Sequence, residues 1–197
     1  LFVTNYFTEN NFLYRNEGGG VFTKITTGEI VNDGGASVGS AWGDYDNDGD
    51  LDLFVSNDNE QNEFLYNNNG NGTFTKITTG EIVNSGGRSN GSTWGDYDLD
   101  GDLDFFLLNH SLRYNNTFAP RSNFAASVDS LSKDMLYRND GSRFTDISEK
   151  AGIHQSVIGY GLGIAVADIN MDGWPDIYIG NDFHENDYLY INQQNGT

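Results

Sequence analysis

The chain has 197 residues, 10 basic and 29 acidic, for a formal net charge of −19, and 14% of it is aromatic. The aromatic content excludes a solvated acidic tail, which would lack Trp, Tyr and Phe, and the acidity excludes a general nucleic-acid binder, which needs clustered Lys and Arg. The absence of Cys excludes disulfides and thiolate metal sites, and no apolar run approaches the roughly 18 residues of a membrane span.

Self-similarity organises the elements. Phe22–Asn32 recurs as Phe74–Asn84, and Trp42-Gly-Asp-Tyr-Asp recurs as Trp94-Gly-Asp-Tyr-Asp, both 52 residues on. Leu1–Asn5 matches Leu53–Asn57, and Phe105–Asn109 and Ile177–Asn181 occupy the same slot. The units are expected at 1–32 (partial), 33–84, 85–150 and 151–197 (partial). In chain order, the second unit opens on a small apolar strand, Gly39–Trp42, whose counterpart later is Gly161–Val166. A β-rich strand, Leu53–Ser56, follows, then Phe64–Tyr66, ended by the turn-forming run Asn67–Gly72, then Phe74–Thr78. The third unit carries an insert at 110–134, within which Ser127–Met135 reads as a short helix capped by Ser127. Four short strands per unit of about 50 residues is the pattern of a β-propeller blade, with a linear β-solenoid or a string of independent hairpins as the alternative. Small residues suit an innermost strand, which crowds toward an axis. The expected fold is all-β: a β-propeller segment of four-stranded blades with calcium loops between first and second strands. Leu1 aligns with Leu53 and Thr197 with Thr73, so the polypeptide is expected to continue at both ends into further blades of the same or a neighbouring chain.

Three loops carry the chemistry. Asp44, Asp46, Asp48, Asp50 and Asp52 surround Gly49; Asp96, Asp98, Asp100, Asp102 and Asp104 surround Gly101; Asp168, Asn170, Asp172, Trp174 and Asp176 surround Gly173. Clustered carboxylates repel one another unless a cation holds them. Positions 1, 3 and 5 aim side chains at one point, and Gly at 6 allows the sharp turn. Position 7 (Asp50, Asp102, Trp174) need offer only its carbonyl. Oxygen-rich, flexible ligation selects Ca²⁺, predicting three sites. An EF-hand would need an acid at position 12, but Val55, Leu107 and Ile179 stand there, so position 9 (Asp52, Asp104, Asp176) is expected to be the fourth side-chain ligand.

These loops, repeating between strands, resemble the FG-GAP/VCBS repeats of integrin α-subunit propellers. Leu136–Ser148, Gly161-Leu-Gly, Asp172–Tyr178 and Asn181-Asp-Phe are similar to cartilage acidic protein and its bacterial relatives, which often end in an ASPIC/UnbV module. The resemblance implies a calcium-stabilised propeller, typically of seven blades, in a secreted or cell-surface protein, and leaves the ligand open.

Other constellations have plainer readings. Gly35-Ala-Ser-Val-Gly39 and Gly87-Arg-Ser-Asn-Gly91 match G-x-S-x-G but precede an inner strand, so they read as turn chemistry. His110, His154 and His184 share no repeat position or zinc spacing. Asn181–Asp187 reads as a polar loop, with a site beside the third loop as the alternative. Trp42 and Trp94 are expected to pack between blades, since Val166 replaces them in the last unit. The insert reads as a binding loop or as decoration. Asn-x-Ser/Thr at Asn71, Asn90, Asn109, Asn115 and Asn195 matters only in a glycosylating host. The function expected is non-catalytic adhesion, recognition or assembly through a protein or glycan ligand. The alternatives are a lectin-like propeller, or the scaffold of a polysaccharide-degrading enzyme, which the commitment of the carboxylates to loops disfavours.

Overall fold

The computed structural model describes residues 1–111, 130–141, 143–182 and 185–195. Strands form where β-branched and aromatic residues run between Gly- and Asn-rich turns. The first sheet holds β1 (Phe2–Val3), β2 (Phe12–Gly18) and β3 (Val21–Ile25). The second holds β4 (Ser37–Gly43), β5 (Asp52–Asn57), β6 (Phe64–Asn68) and β7 (Phe74–Ile77). The third holds β8 (Ser89–Gly95), β9 (Asp104–Asn109), β10 (Met135–Asn139) and β11 (Phe144–Asp146), and the fourth β12 (Gly161–Ala167), β13 (Asp176–Asn181) and β14 (Tyr188–Tyr190). All four are antiparallel meanders, so the chain is an all-β repeat fold.

The repeat is visible in the pairing. Gly43 lies opposite Asp52, Gly95 opposite Asp104 and Ala167 opposite Asp176, so each aspartate loop closes between the ends of the first two strands. At the other end of each first strand the register slips by one residue, leaving Val38, Asn90 and Leu162 as the extra residues of three β-bulges.

The core lies between sheets. One cluster joins Phe2, Leu13, Ile30 and Val31 to Leu53, Val55 and Tyr66. The next joins Phe54 and Leu65 to Phe105, Leu107 and Tyr137, and the third joins Phe106, Leu108 and Leu136 to Ile177 and Ile179. Alternate residues of β5 and β9 therefore face opposite neighbours. A strand covered on both faces needs apolar side chains throughout, which is why Leu53-Phe-Val and Phe105-Phe-Leu-Leu are unbroken and buried.

Small residues let the first strands approach. A Cβ on Gly39 would sit 3.1 Å from the Asn90 carbonyl oxygen and 3.2 Å from the Gly91 Cα in β8. Trp94 lies in the second cluster, 4.5 Å from Phe105 between ring centroids, and its Nε1 donates to the Ala41 carbonyl at 3.3 Å. Trp42, 37% exposed, is less enclosed and lies 6.1 Å from Phe74.

Two expectations change. Of the helix read over Ser127–Met135, the described part is a 3₁₀ turn at Ser130–Ser132, and Met135 begins β10; Ser127 and the insert from 112 to 129 lie outside the described residues. Sequence reading also missed 3₁₀ turns at Glu29–Val31 and Glu81–Val83, whose Ile-Val pairs plug the inter-sheet clusters. The pair follows a turn Gly at positive φ (Gly28, Gly80), which was the available signal.

Candidate metal centre

The first carboxylate of each loop organises the turn. Asp44 accepts the Asp48 and Gly49 amides at 3.1 and 3.0 Å, and Asp96 accepts those of Asp100 and Gly101, both at 3.1 Å. Asp168 likewise accepts Asp172 and Gly173 at 3.0 and 2.8 Å. The carboxylate at position 5 accepts the amide of position 7: Asp48 from Asp50, Asp100 from Asp102, Asp172 from Trp174, each at 2.9 Å. Gly49, Gly101 and Gly173 have φ of 94°, 98° and 91°, as the sharp turn requires. Asn47, Leu99 and Met171 at position 4 are left-handed too, at 60°, 57° and 64°.

Position 9 has a role that spacing alone did not show. Asp52 takes the amides of Tyr45 and Asn68 at 3.2 and 2.8 Å, clamping the loop to the third strand of its sheet. Asp104 does the same with Tyr97 and Asn139, and Asp176 with Ile169 and Asn192. Burial raises Asp52 to about 6 and Asp104 to about 7, with neighbouring loop carboxylates adding to the backbone-opposed rise. These groups are held where an unshielded negative charge is unfavourable.

The loops differ in what they assemble. Asp44, Asp46 and Asp48 bring carboxylate oxygens within 4.8 Å of one another, and so do Asp96, Asp98 and Asp104. In both clusters the position 3 aspartate keeps one buried oxygen without a hydrogen-bond partner among the described residues: Asp46 Oδ1 and Asp98 Oδ1. In the third loop, Asn170 donates to Asp172 at 3.0 Å, and Gln194 does so at 3.0 Å. Asp172 is exposed, and its pKa is lowered by the Trp174 amide first and then by Gln194. An amide at position 3 satisfies its neighbour where a carboxylate would repel it.

The remaining predicted residues sit at the rim. Asp102 accepts the Asn47 side chain at 2.6 Å, tying the first two loops together, so its carboxylate is turned toward a neighbouring loop. Asp50 offers its amide to Asp48, and Trp174 offers its amide to Asp172. The segments leaving the loops are β5, β9 and β13, which excludes an EF-hand helix there. Ser37 and Ser89 of the G-x-S-x-G matches start β4 and β8 and donate to Asn57 and Asn109 at 2.8 and 2.7 Å.

Family models match this chain as FG-GAP-like repeats at residues 1–55, 44–107 and 121–179. The chain belongs to the FG-GAP-like repeat family. Each of the first two matches contains an aspartate loop in full or begins with one, and the third spans Asp168–Asp176. No curated protein matches the chain. Among the described residues, no helix of this FG-GAP-like chain is long and apolar enough to cross a membrane.

Proposed function

We propose that this FG-GAP-like chain is a segment of a calcium-stabilised β-propeller, secreted or displayed at a cell surface, serving adhesion, recognition or assembly without catalysis. The blades are 1–32, 33–84, 85–150 with the insert, and 151–197, packed against further blades. Ca²⁺ is held by the side chains of positions 1, 3, 5 and 9 and the carbonyl of position 7. The observation that carries this reading is the pair of buried, unpartnered oxygens on Asp46 and Asp98, at one repeat position in two carboxylate clusters. An unpaired buried carboxylate oxygen is costly; a divalent cation supplies the missing partner and neutralises its neighbours. In the third loop position 3 offers the neutral Asn170 amide oxygen, which accepts the Asp172 amide at 3.0 Å, in place of a carboxylate.

Linkage sets the size of the effect. A site with Kd of about 10–100 μM against about 1 mM calcium contributes roughly 1.4–2.7 kcal/mol. Three such sites supply about 4–8 kcal/mol, on the scale of a domain's whole stability. Extracellular calcium fills such sites and resting cytosolic calcium does not, which supports the surface address. The experiment is a calorimetric melt in calcium and in EGTA, with Asp98→Ala as a one-site control. A large fall in Tm in EGTA is expected, part of it already present in the variant in calcium; identical melts in the two buffers would overturn the reading.

A further inference from the structure

At the ends of the strands opposite the aspartate loops lies a cleft of about 520 Å³ to which all four repeats contribute. The residue just after the second-strand asparagine is Tyr6 in the first repeat, Asp58 in the second and His110 in the third. The three are unlike in sequence but form one connected group. Tyr6 donates its hydroxyl to Asp58 Oδ2 at 2.5 Å, and His110 Nε2 lies 3.2 Å from Asp58 Oδ1. Asp58 and His110 are 9% and 4% exposed, and the Tyr160 ring of the fourth repeat packs on the imidazole at 5.0 Å.

The backbone around the cleft is specialised as well. The bulge residues Val38 and Asn90 both line it, and bulges re-aim side chains beside binding sites. Beyond Tyr6 and Asp58 the chain takes two successive left-handed residues, Phe7 and Thr8 (60° and 67°), then Asn59 and Glu60 (both 61°). For Phe and a β-branched Thr this conformation is unfavourable and persists only where the surroundings impose it. Its effect is to set Phe7, 79% exposed and outside the cleft lining, against the lining residue Tyr6 with ring centroids 4.7 Å apart.

We infer that this cleft is a carbohydrate site, taking a neutral sugar chain across the Tyr6–Asp58–His110 group with Phe7 as its stacking face. Both Asp58 oxygens have polar partners, the Tyr6 hydroxyl and the His110 imidazole, so the cleft offers an ordered polar network in place of a bare charge that would select a cation. The net charge of −19 disfavours an anionic ligand. The side chains of Asn59 and Asn90 line the cleft; their Nδ2 groups are engaged, with the Tyr6 hydroxyl at 3.4 Å and the Gly161 carbonyl at 2.9 Å, and their amide oxygens are acceptors beside the Tyr6 ring. That combination suits a ligand with hydroxyls on its edges and C–H groups on its faces. The inference rests on the recognition reading above but not on calcium: a failed EGTA melt would leave the cleft intact, and a failed sugar titration would leave the loops intact.

The test is calorimetric titration of the full chain, in calcium buffer, with cellopentaose, mannopentaose and a galactan pentasaccharide, and with tetragalacturonate as the charged control. At least one neutral chain is expected to bind with Kd of about 1 mM or tighter. Phe7→Ala, at an exposed position, should weaken it about tenfold, the scale of one lost contact, with an unchanged melting curve. Tyr6→Phe should weaken it similarly and also lower Tm, because Asp58 Oδ2 loses its donor. No binding of any neutral probe overturns the inference, as does preference for the uronate or binding that both variants leave unaltered.

Discussion

Leu99 occupies a left-handed turn position at φ 57° although it is 49% exposed and could be another residue without loss of packing. The first loop has Asn47 in this place, and Asn tolerates the conformation where Leu does not. Leu99→Asn is therefore expected to stabilise the chain by about 1 kcal/mol, read as a higher urea midpoint at unchanged slope. Glu63 shows the opposite kind of constraint. It is 2% exposed, accepts the Asn57 amide at 2.5 Å, lies 2.6 Å from the Ser89 hydroxyl oxygen, and is pushed by burial up to about 8, with Asp58 adding to the rise. The folded chain holds this proton more tightly than the unfolded chain, where the value is near 4.5. Its contribution is thus complete below about 4.5 and declines as pH rises toward 8. Glu63→Gln should flatten that part of the Tm-against-pH curve; a variant curve as steep as the parent's would contradict the assignment.

At the scale of elements, asparagine does most of the bracing. The side chains of Asn5, Asn57, Asn109 and Asn181 donate to the carbonyls of Asn10, Asn62, Lys133 and Asn186, closing the turn from second to third strand in every sheet. In the third sheet the same bond closes the connection that carries the insert, so 19 added residues leave its two ends where the short turns have theirs. Asn139 and Asn192 reach further. Asn139 Nδ2 donates to Leu103 in its own sheet and, at 2.8 Å, to the Tyr45 carbonyl in the loop of the sheet before; Asn192 does the same toward Pro175 and Tyr97. The aspartate loops are thereby held by the next sheet. Asn139→Ala leaves two carbonyls short of a donor and should cost about 2–3 kcal/mol in urea unfolding. Asn68→Ala loses two exposed bonds, to the Leu51 carbonyl and from the Gly70 amide, neither of them across sheets, and should cost less. Equal costs would show that the cross-sheet bond contributes nothing.

The whole molecule is a stack of sheets with 13 of its 29 acidic residues packed into three nine-residue loops, and that sets its response to salt. A chain at −19 repels itself, most of all where Asp44–Asp52 and Asp96–Asp104 converge. Without calcium, raising NaCl from about 0.05 to about 0.5 M shortens the Debye length several-fold and should raise Tm. With calcium bound the loop charges are offset, and the same salt step should have a smaller effect. A metal-free melt insensitive to salt would mean that loop repulsion is not what limits stability.

The nine-residue loops and the 52-residue spacing were legible in the sequence because each is a local pattern, and repetition in register separated it from chance. Position 9 was legible as important, although its clamp on the third strand was not, because the amides of Asn68 and Asn139 lie 16 and 35 residues away from Asp52 and Asp104. Tyr6, Asp58 and His110 were illegible for the same reason in stronger form: three unlike residues at one repeat position read as divergence along the chain. Only stacking of consecutive sheets sets the three within hydrogen-bond reach. Identical units yield sites by repetition, which sequence displays; unlike residues yield a site by adjacency across sheets, which exists only after packing.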